Sequence, residues 1–199
     1  MLNLRAISWI GLAICAAVSM TGCGDKSDTG KKASVKPVEM LSVDGIGPIN
    51  AQTPFNLHDI TAAFQGFNVS QHTNYTEGQQ YPVIEVAKDL KTLLVINPDV
   101  KQEKIFSVMV QDNLIGNRLG HSIGMAFADI YAYGQTEECA AGAEELSGKV
   151  LCYAPKTGNI LYQFGGSWSG PNGTVPPKDV LAGWKMESMI WKPLSPRAP

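Results

Sequence analysis

The stretch YPVIEVAKDLKTLLVINPD, residues 81–99, decides the fold of this 199-residue chain. It contains two short runs rich in valine, isoleucine and leucine, residues 81–87 and 92–96, and such runs are typical of β-strands. Lys88-Asp89 separates the two runs and Asn97-Pro98-Asp99 follows the second, so each run ends at residues that favour a turn. We therefore predict two consecutive antiparallel strands with a short connection between them.

Further strands are predicted on both sides of this pair, at residues 67–75 and 104–110. Ahead of them, Thr53-Pro54 offers a helix N-cap followed by a proline at the first helical position, and Gly66 offers a stop. The first half of the chain is thus predicted to form one helix followed by an antiparallel meander. The apolar residues spaced for one face of this helix are Phe55, Ile60, Ala63 and Phe64.

A similar order follows in the second half of the chain. The spacing of its apolar residues predicts a helix over residues 125–133, and strands are predicted at residues 150–154, 160–164 and 185–191. We therefore predict an α+β fold for residues 41–192. In this prediction a single antiparallel sheet is built from two helix-plus-β-meander halves, and the helices pack on one face of the sheet.

The N-terminal segment has the features of a lipoprotein signal peptide. Arg5 precedes an apolar run at residues 7–18, which is shorter than the roughly 20 residues that a transmembrane helix needs. Met20-Thr21-Gly22 then leads into Cys23, so we interpret residues 1–22 as the signal peptide and Cys23 as the lipid attachment site. The alternatives are an uncleaved anchor and an ordinary secretory signal.

The residues after this site predict a tether and a location. Residues 23–40 are mostly polar and charged, as in a flexible linker, and residues 193–199 form a proline-rich tail. Gly24, rather than an aspartate, follows Cys23, which favours sorting to the outer membrane. We expect a lipid-anchored domain on the periplasmic face of that membrane, where the acyl chains hold it.

The charge balance argues against a nucleic-acid partner. The chain has 16 Lys and Arg against 18 Asp and Glu, a formal net charge of −2. Removal of residues 1–22 takes away only Arg5 among the charged residues, so the mature chain is slightly more acidic still. A nucleic-acid-binding domain needs a basic surface, and none is predicted here.

Only two of the four cysteines are available to form a disulfide in the mature chain. Cys15 leaves with the signal peptide and Cys23 is acylated, which leaves Cys139 and Cys152 in an oxidising compartment. We predict a structural disulfide between these two residues. A metal site or a redox pair fits less well, because the sequence has no CxxC motif and no histidine between the two cysteines.

No set of residues with the spacing of a catalytic or metal site was found. His58, His72 and His121 lie in separate segments, and no phosphate-binding or dinucleotide-binding motif is present. His121, Ser122 and Asp129 have the composition of a catalytic triad. Their spacing does not fit one, because the side chains of adjacent residues such as His121 and Ser122 seldom face each other and Asp129 lies eight residues beyond His121. We therefore predict no catalytic residues, no metal and no cofactor.

Residues 165–176, GGSWSGPNGTVP, are the strongest candidate for a binding surface. Glycine and proline allow close approach of the backbone, and Trp168 offers a flat aromatic face to a sugar, a peptide or a partner protein. The alternative is a structural loop in which Trp168 caps the core of the sheet. The candidate surface consists of Trp168, Gly170, Pro171, Asn172, Gly173 and Tyr131.

Residues 120–131, GHSIGMAFADIY, carry a resemblance to a known family. They are similar to the Gly-x-x-Ile-Gly-x-x-Phe-x-Asp-x-Tyr segment of the RpoE-regulated lipoprotein family, a domain of unknown function. Similar segments occur at residues 45–55, 162–176 and 184–191, and the family has its cysteine pair at matching places. The resemblance covers residues 43–192 and departs from the family pattern at His121 and Gly165.

This resemblance implies an envelope lipoprotein with a stress-response context, and it implies no reaction. We expect a non-enzymatic binding or accessory protein of envelope homeostasis, whose partner is an envelope protein or cell-wall material. A hydrolase acting on the cell wall and a proteinaceous enzyme inhibitor are the alternatives. On the binding hypothesis, Trp168→Ala impairs function, whereas His121→Ala and Asp129→Asn cost stability at most.

Overall fold

The structure is a computed structural model that describes residues 36–76, 78–131 and 138–194. The predicted signal peptide, Cys23, most of the predicted tether and residues 195–199 of the predicted tail lie outside the described residues. In chain order the elements are β1 (Glu39–Ser42), β2 (Gly45–Ile46), β3 (Ile49–Asn50), α1 (Leu57–Ala63), β4 (Asn68–Thr76), β5 (Gln79–Lys88), β6 (Lys91–Pro98), β7 (Ile105–Val110), β8 (Ile115–Asn117), α2 (Phe127–Ile130), β9 (Cys139–Ala141), a 3-10 helix (Glu144–Leu146), β10 (Lys149–Tyr153), β11 (Ile160–Gly165), α3 (Lys178–Leu181) and β12 (Lys185–Trp191).

The larger of the two sheets has eight antiparallel strands in the order β4-β5-β6-β7-β12-β11-β10-β9. Strands β4 to β7 follow one another in the chain, and so do strands β9 to β12. The two groups meet where β7 pairs with β12, with Met109 opposite Ile190 and Val110 opposite Met189. Strands from opposite halves of the chain are therefore neighbours at the centre of this sheet.

The smaller sheet has four short strands in the order β3-β2-β1-β8. Its strands β1 and β8 are parallel, with Leu41 opposite Asn117, and β2 and β3 form an antiparallel hairpin. Leu41, Ile46 and Ile49 are fully buried in the same core cluster as the large side chains of the larger sheet. The smaller sheet thus covers one face of the larger sheet.

The predicted single sheet with helices packed on one face is wrong. The described part of the chain is mainly β, with two sheets, and the three α-helices found there have only seven, four and four residues. The prediction failed because β2 and β3 have two residues each and carry no strand signal of their own. They exist through their pairing with β1 and with each other, which only the folded chain supplies.

The second helix differs most from its prediction over residues 125–133. Only Phe127–Ile130 is helical, and residues 132–133 lie outside the described residues. The Phe127 N–H donates to the Trp184 carbonyl at 2.9 Å, and the Met186 N–H donates to the Met125 carbonyl at 2.9 Å. The backbone ahead of α2 is therefore bonded to the segment that enters β12 and cannot form another helical turn.

The predicted disulfide is confirmed. Cys139 of β9 lies directly opposite Cys152 of β10, with 4.1 Å between their Cα atoms, and the two sulfurs are bonded. Cys152 is fully buried in the core, so the bond ties the short edge strand β9 to the centre of the second half.

The two faces of the larger sheet have different surroundings. Its core face carries the largest buried side chains of the protein, among them Trp191, Tyr162 and Phe164. Its other face, which we call the open face, carries a row of residues that lie opposite one another on successive strands. This row consists of Glu85, Val95, Met109, Ile190 and Leu161.

Candidate functional site

The open face of the larger sheet holds a groove of about 700 Å³. Strands β4 to β7 form most of it, because alternate side chains of a strand point to the same face. The 3-10 helix contributes at one end through Glu145 and Leu146. The groove is lined by His72, Thr73, Asn74, Tyr75, Tyr81, Val83, Glu85, Val95, Asn97, Pro98, Phe106, Ser107, Met109, Gln111, Glu145 and Leu146.

The groove has an aliphatic floor and an aromatic rim. Val83 is 3% exposed, whereas the rim residue Tyr81 is half-buried and the rim residue Phe106 is 54% exposed. Phe106 occupies a β-bulge in the pairing of β6 with β7, and a bulge re-aims a side chain relative to its strand. Large exposed rings beside a buried aliphatic floor provide apolar contact area for a ligand.

The polar groups of the groove are amides, hydroxyls and acids. Asn97 donates to Ser107 Oγ at 3.2 Å, and the Glu85 carboxylate lies 4.0 Å from His72 Nε2. The lining includes two acids, Glu85 and Glu145, and no lysine or arginine. Beside the lining, Lys192 Nζ lies 5.0 Å from the centroid of the Phe106 ring, so a cation already stacks on this ring. The groove therefore suits a neutral ligand that can also bond to amides.

A second polar cluster lies between the two sheets. The Asn117 amide of β8 donates to the Tyr162 hydroxyl of β11 at 2.8 Å, and His121 Nδ1 lies 2.8 Å from the same hydroxyl. The hydroxyl therefore accepts from the Asn117 amide and shares a second hydrogen bond with the His121 ring. Burial raises the pKa of Tyr162 to about 12 and lowers the pKa of His121.

This cluster does not bring His121, Ser122 and Asp129 together. The His121 ring faces Tyr162, and the Asp129 carboxylate accepts the Ala126 N–H at 3.1 Å as a helix cap. His121 is thus held by a tyrosine and not by an acid. Over the described ranges, no three histidine, cysteine, aspartate or glutamate side chains come close enough to hold a metal ion.

The Trp168 loop encloses a smaller pocket of about 250 Å³ between residues 141–150 and 166–176, with Trp184 at its wall. Trp168 is half-buried and packs against the core. A Cβ added at Gly170 would lie 2.0 Å from the Trp168 ring, and one at Gly166 would lie 2.4 Å from Trp184. The glycines therefore allow the backbone to approach these two rings, which leaves only part of Trp168 for a ligand.

The remaining predicted surface residues separate into two groups. Gly170 is half-buried, and Pro171, Asn172 and Gly173 are exposed at the mouth of the same pocket. Tyr131 is 2% exposed, stacks against Phe127 and donates its hydroxyl to the Tyr153 carbonyl at 2.8 Å. The structure thus places Tyr131 in the core, apart from the loop.

The groove was not identified from the sequence. Most of its residues come from four strands, and the side chains of its floor meet only because the strand register aligns them on the open face. One signal was present: Tyr81, Val83 and Glu85 alternate along the most clearly predicted strand, and so they share a face.

Fold and site together define a small, mainly β protein of two sheets, with one covered sheet face and a ligand-sized groove on the open face. Within the described part of the chain, no helix is both long and apolar enough to cross a membrane.

The chain belongs to the family described as "Protein of unknown function (DUF1131)", whose model matches residues 34–193. It is similar to "Uncharacterized protein YfeY" of Escherichia coli (strain K12), with 31% identity over 190 residues that cover 91% of this chain and 97% of the relative. The crystal structure of the uncharacterized protein yfeY from Escherichia coli is also similar, with a TM-score of 0.64 and 30% sequence identity. That match covers 77% of this chain and 99% of the crystallised chain.

Proposed function

We propose that this protein is a non-enzymatic binding lipoprotein, anchored by an acylated Cys23 to the periplasmic face of the outer membrane. Its proposed role lies in envelope homeostasis or stress response, as the resemblance to the RpoE-regulated lipoprotein family suggests. The anchor is supported by the apolar run that ends in Gly22-Cys23, and the compartment by the disulfide between Cys139 and Cys152.

The groove on the open face is the observation that carries the binding function. It has the size of a small-ligand site and combines an aliphatic floor, exposed aromatic rings and several amides. Phe106 is its most informative residue, because it is half-exposed and its removal should cost the fold little. The proposed ligand is a neutral segment of an envelope protein or of the cell wall.

The binding function is tested by complementation of a deletion strain at matched protein levels. Phe106→Ala should fail to restore the envelope phenotype of the deletion. Leu90→Ala, which removes a 99% exposed side chain at the β5–β6 turn, is the matched control and should restore it. If Phe106→Ala complements fully while His121→Ala or Asp129→Asn fails in a folded protein, the groove proposal is overturned in favour of an enzyme.

The pocket of the Trp168 loop is a second candidate for the same binding function. The Lys149–Glu187 ion pair, at 2.7 Å, brings charge to its rim, and the exposed residues of its mouth can contact a partner. Trp168→Ala therefore belongs in the same assay. Since Trp168 also packs against the core, its effect counts only if thermal unfolding shows that the variant remains folded.

The anchor is tested separately with Cys23→Ala. This variant should lose incorporation of labelled fatty acid and should no longer sediment with the outer membrane. Continued incorporation of the label would exclude Cys23 as the acylated residue, whatever the outcome of the groove assay.

A further inference from the structure

Strand β4 is an edge of the larger sheet, and it lacks the features that usually protect such an edge. It has nine residues, Asn68–Thr76, with no charged residue and no proline. All nine pair with β5 in an unbroken register, so no bulge twists the strand away. Natural sheets usually blunt an exposed edge with charges, prolines, bulges or a short strand. The opposite edge, β9, has only three residues and is tied by the disulfide.

The direction of the unpaired backbone groups can be assigned. The Tyr75 N–H donates to the Asn74 side chain at 2.9 Å instead of to β5, so the backbone of Tyr75 points outward. Backbone groups alternate in direction along an antiparallel strand, so those of Val69, Gln71 and Thr73 point outward as well. Among the described residues, no backbone hydrogen bond reaches these three residues from outside β5.

We propose that the free edge of β4 pairs with β4 of a second copy of this chain, antiparallel and around a two-fold axis at His72. This register is the one that uses every outward-pointing residue from Val69 to Tyr75. It would form about eight backbone hydrogen bonds, two for each directly opposed pair of outward residues. Two of these eight require the Tyr75 N–H of each copy to exchange its Asn74 partner for the Val69 carbonyl of the other copy. The eight-stranded sheets of the two copies would become one continuous sheet.

The side chains of β4 complement one another in this register. Val69 faces Tyr75 of the second copy twice, and aromatic and β-branched residues pair favourably across strands. Gln71 faces Thr73 of the second copy, which places two polar side chains together. β4 contains no Asp, Glu, Lys or Arg, so no pair of permanently charged side chains opposes self-association. Because of these side-chain pairs, β4 of a second copy fits this edge better than a charged segment of another partner does.

Cysteine substitutions test both the pairing and its register in the full-length chain in cell membranes. His72 would face His72 of the second copy as a non-hydrogen-bonded pair, with Cα atoms about 4.5 Å apart, a distance that a disulfide spans. Ser70 would be separated from Ser70 of the second copy by roughly 14 Å along the strand, which is too far. Ser70 would face Asn74 of the second copy instead.

After mild oxidation, most of the His72→Cys chain should run as a dimer on non-reducing gels, while Ser70→Cys shows only the wild-type background. Coexpressed Ser70→Cys and Asn74→Cys chains should form a mixed dimer. Adding Thr73→Pro to His72→Cys should abolish the dimer, because it removes an outward N–H without touching the ladder to β5.

A folded His72→Cys chain that stays monomeric would overturn the proposal. Equal dimer yields from His72→Cys and Ser70→Cys would do so too, because random collision would explain them. If the His72→Cys chain forms a disulfide with another protein and no dimer with itself, the proposal is also overturned, because the partner of β4 is then a strand of that other protein.

Discussion

At the scale of single residues, the Tyr162 hydroxyl is a buried polar link between the two sheets. It is buried on β11, yet it bonds to Asn117 of β8 and to His121, both of which belong to the side of the smaller sheet. A second link is made at Val43, whose carbonyl accepts from Trp191 Nε1 and from the Asn159 amide. A buried hydroxyl with two partners stabilises a particular arrangement, and its loss leaves those partners unsatisfied. Tyr162 therefore contributes to the way in which the smaller sheet lies on the larger one.

Tyr162→Phe should lower the free energy of unfolding by about 1–3 kcal/mol, because the Asn117 amide and the His121 ring then lose a buried partner. Urea denaturation of the two proteins measures the difference. Tyr75→Phe removes an exposed hydroxyl that bonds only weakly, to Gln80 at 3.4 Å, and should change the stability little. Equal effects of the two substitutions would remove Tyr162 from this role.

His121 should make the stability depend on pH. Burial lowers its pKa in the folded protein, so the unfolded chain takes up a proton first as the pH falls through about 6.5. The free energy of unfolding contributed by neutral His121 is thus fully present above pH 6.5 and decreases below it. Denaturation at a series of pH values should show a smaller decrease for His121→Gln than for wild type, and equal decreases for the two proteins would contradict this role of His121.

At the scale of elements, the disulfide holds the last strand of the larger sheet in place. β9 has three residues and pairs only with β10 among the described strands, so few contacts retain it without the covalent bond. Opening the bond frees a loop of 13 residues and should cost roughly 3 kcal/mol on the chain-entropy model. Thermal unfolding with and without reductant measures this cost. An unchanged midpoint in fully reduced protein would contradict it.

The elements predicted correctly are those with a strong local signal. The strands around residues 81–99 were found because β-branched runs ended at turn residues, and they are now β5 and β6. Strands β1, β2, β3 and β8 have two to four residues and depend on partners distant in the chain, as when β1 pairs with β8. No local pattern encodes such pairing, so the smaller sheet was not predicted, and helices were expected to cover that face of the larger sheet.

The candidate site, like the fold, could be predicted from the sequence only in part. Trp168 was singled out as an unusual residue in a glycine-rich loop, but the sequence could not tell how much of its ring faces the core. Tyr131 was placed on the surface although its ring completes an aromatic cluster with Phe127 and Phe164. The groove depends on register across four strands, which a single sequence does not state.

At the scale of the whole molecule, the two faces of the larger sheet have different roles. One face is closed by the smaller sheet and holds the core, and the other keeps exposed aromatic rings beside a buried floor. Exposed apolar surface of this kind is costly to keep in water unless something binds it. We therefore propose that the groove on the open face is occupied by a ligand in the cell.

Thiol labelling of Gln111→Cys measures this occupancy most directly, because Gln111 is an exposed residue of the groove lining and the variant keeps Phe106. The labelling rate with a small maleimide is compared between intact cells and purified protein, with Leu90→Cys as the exposed control and wild type as background. If the groove holds a ligand in cells, the ratio of the labelling rate in cells to the rate after purification is lower for Gln111→Cys than for Leu90→Cys. Equal ratios for the two cysteines would show an empty groove and contradict the proposal.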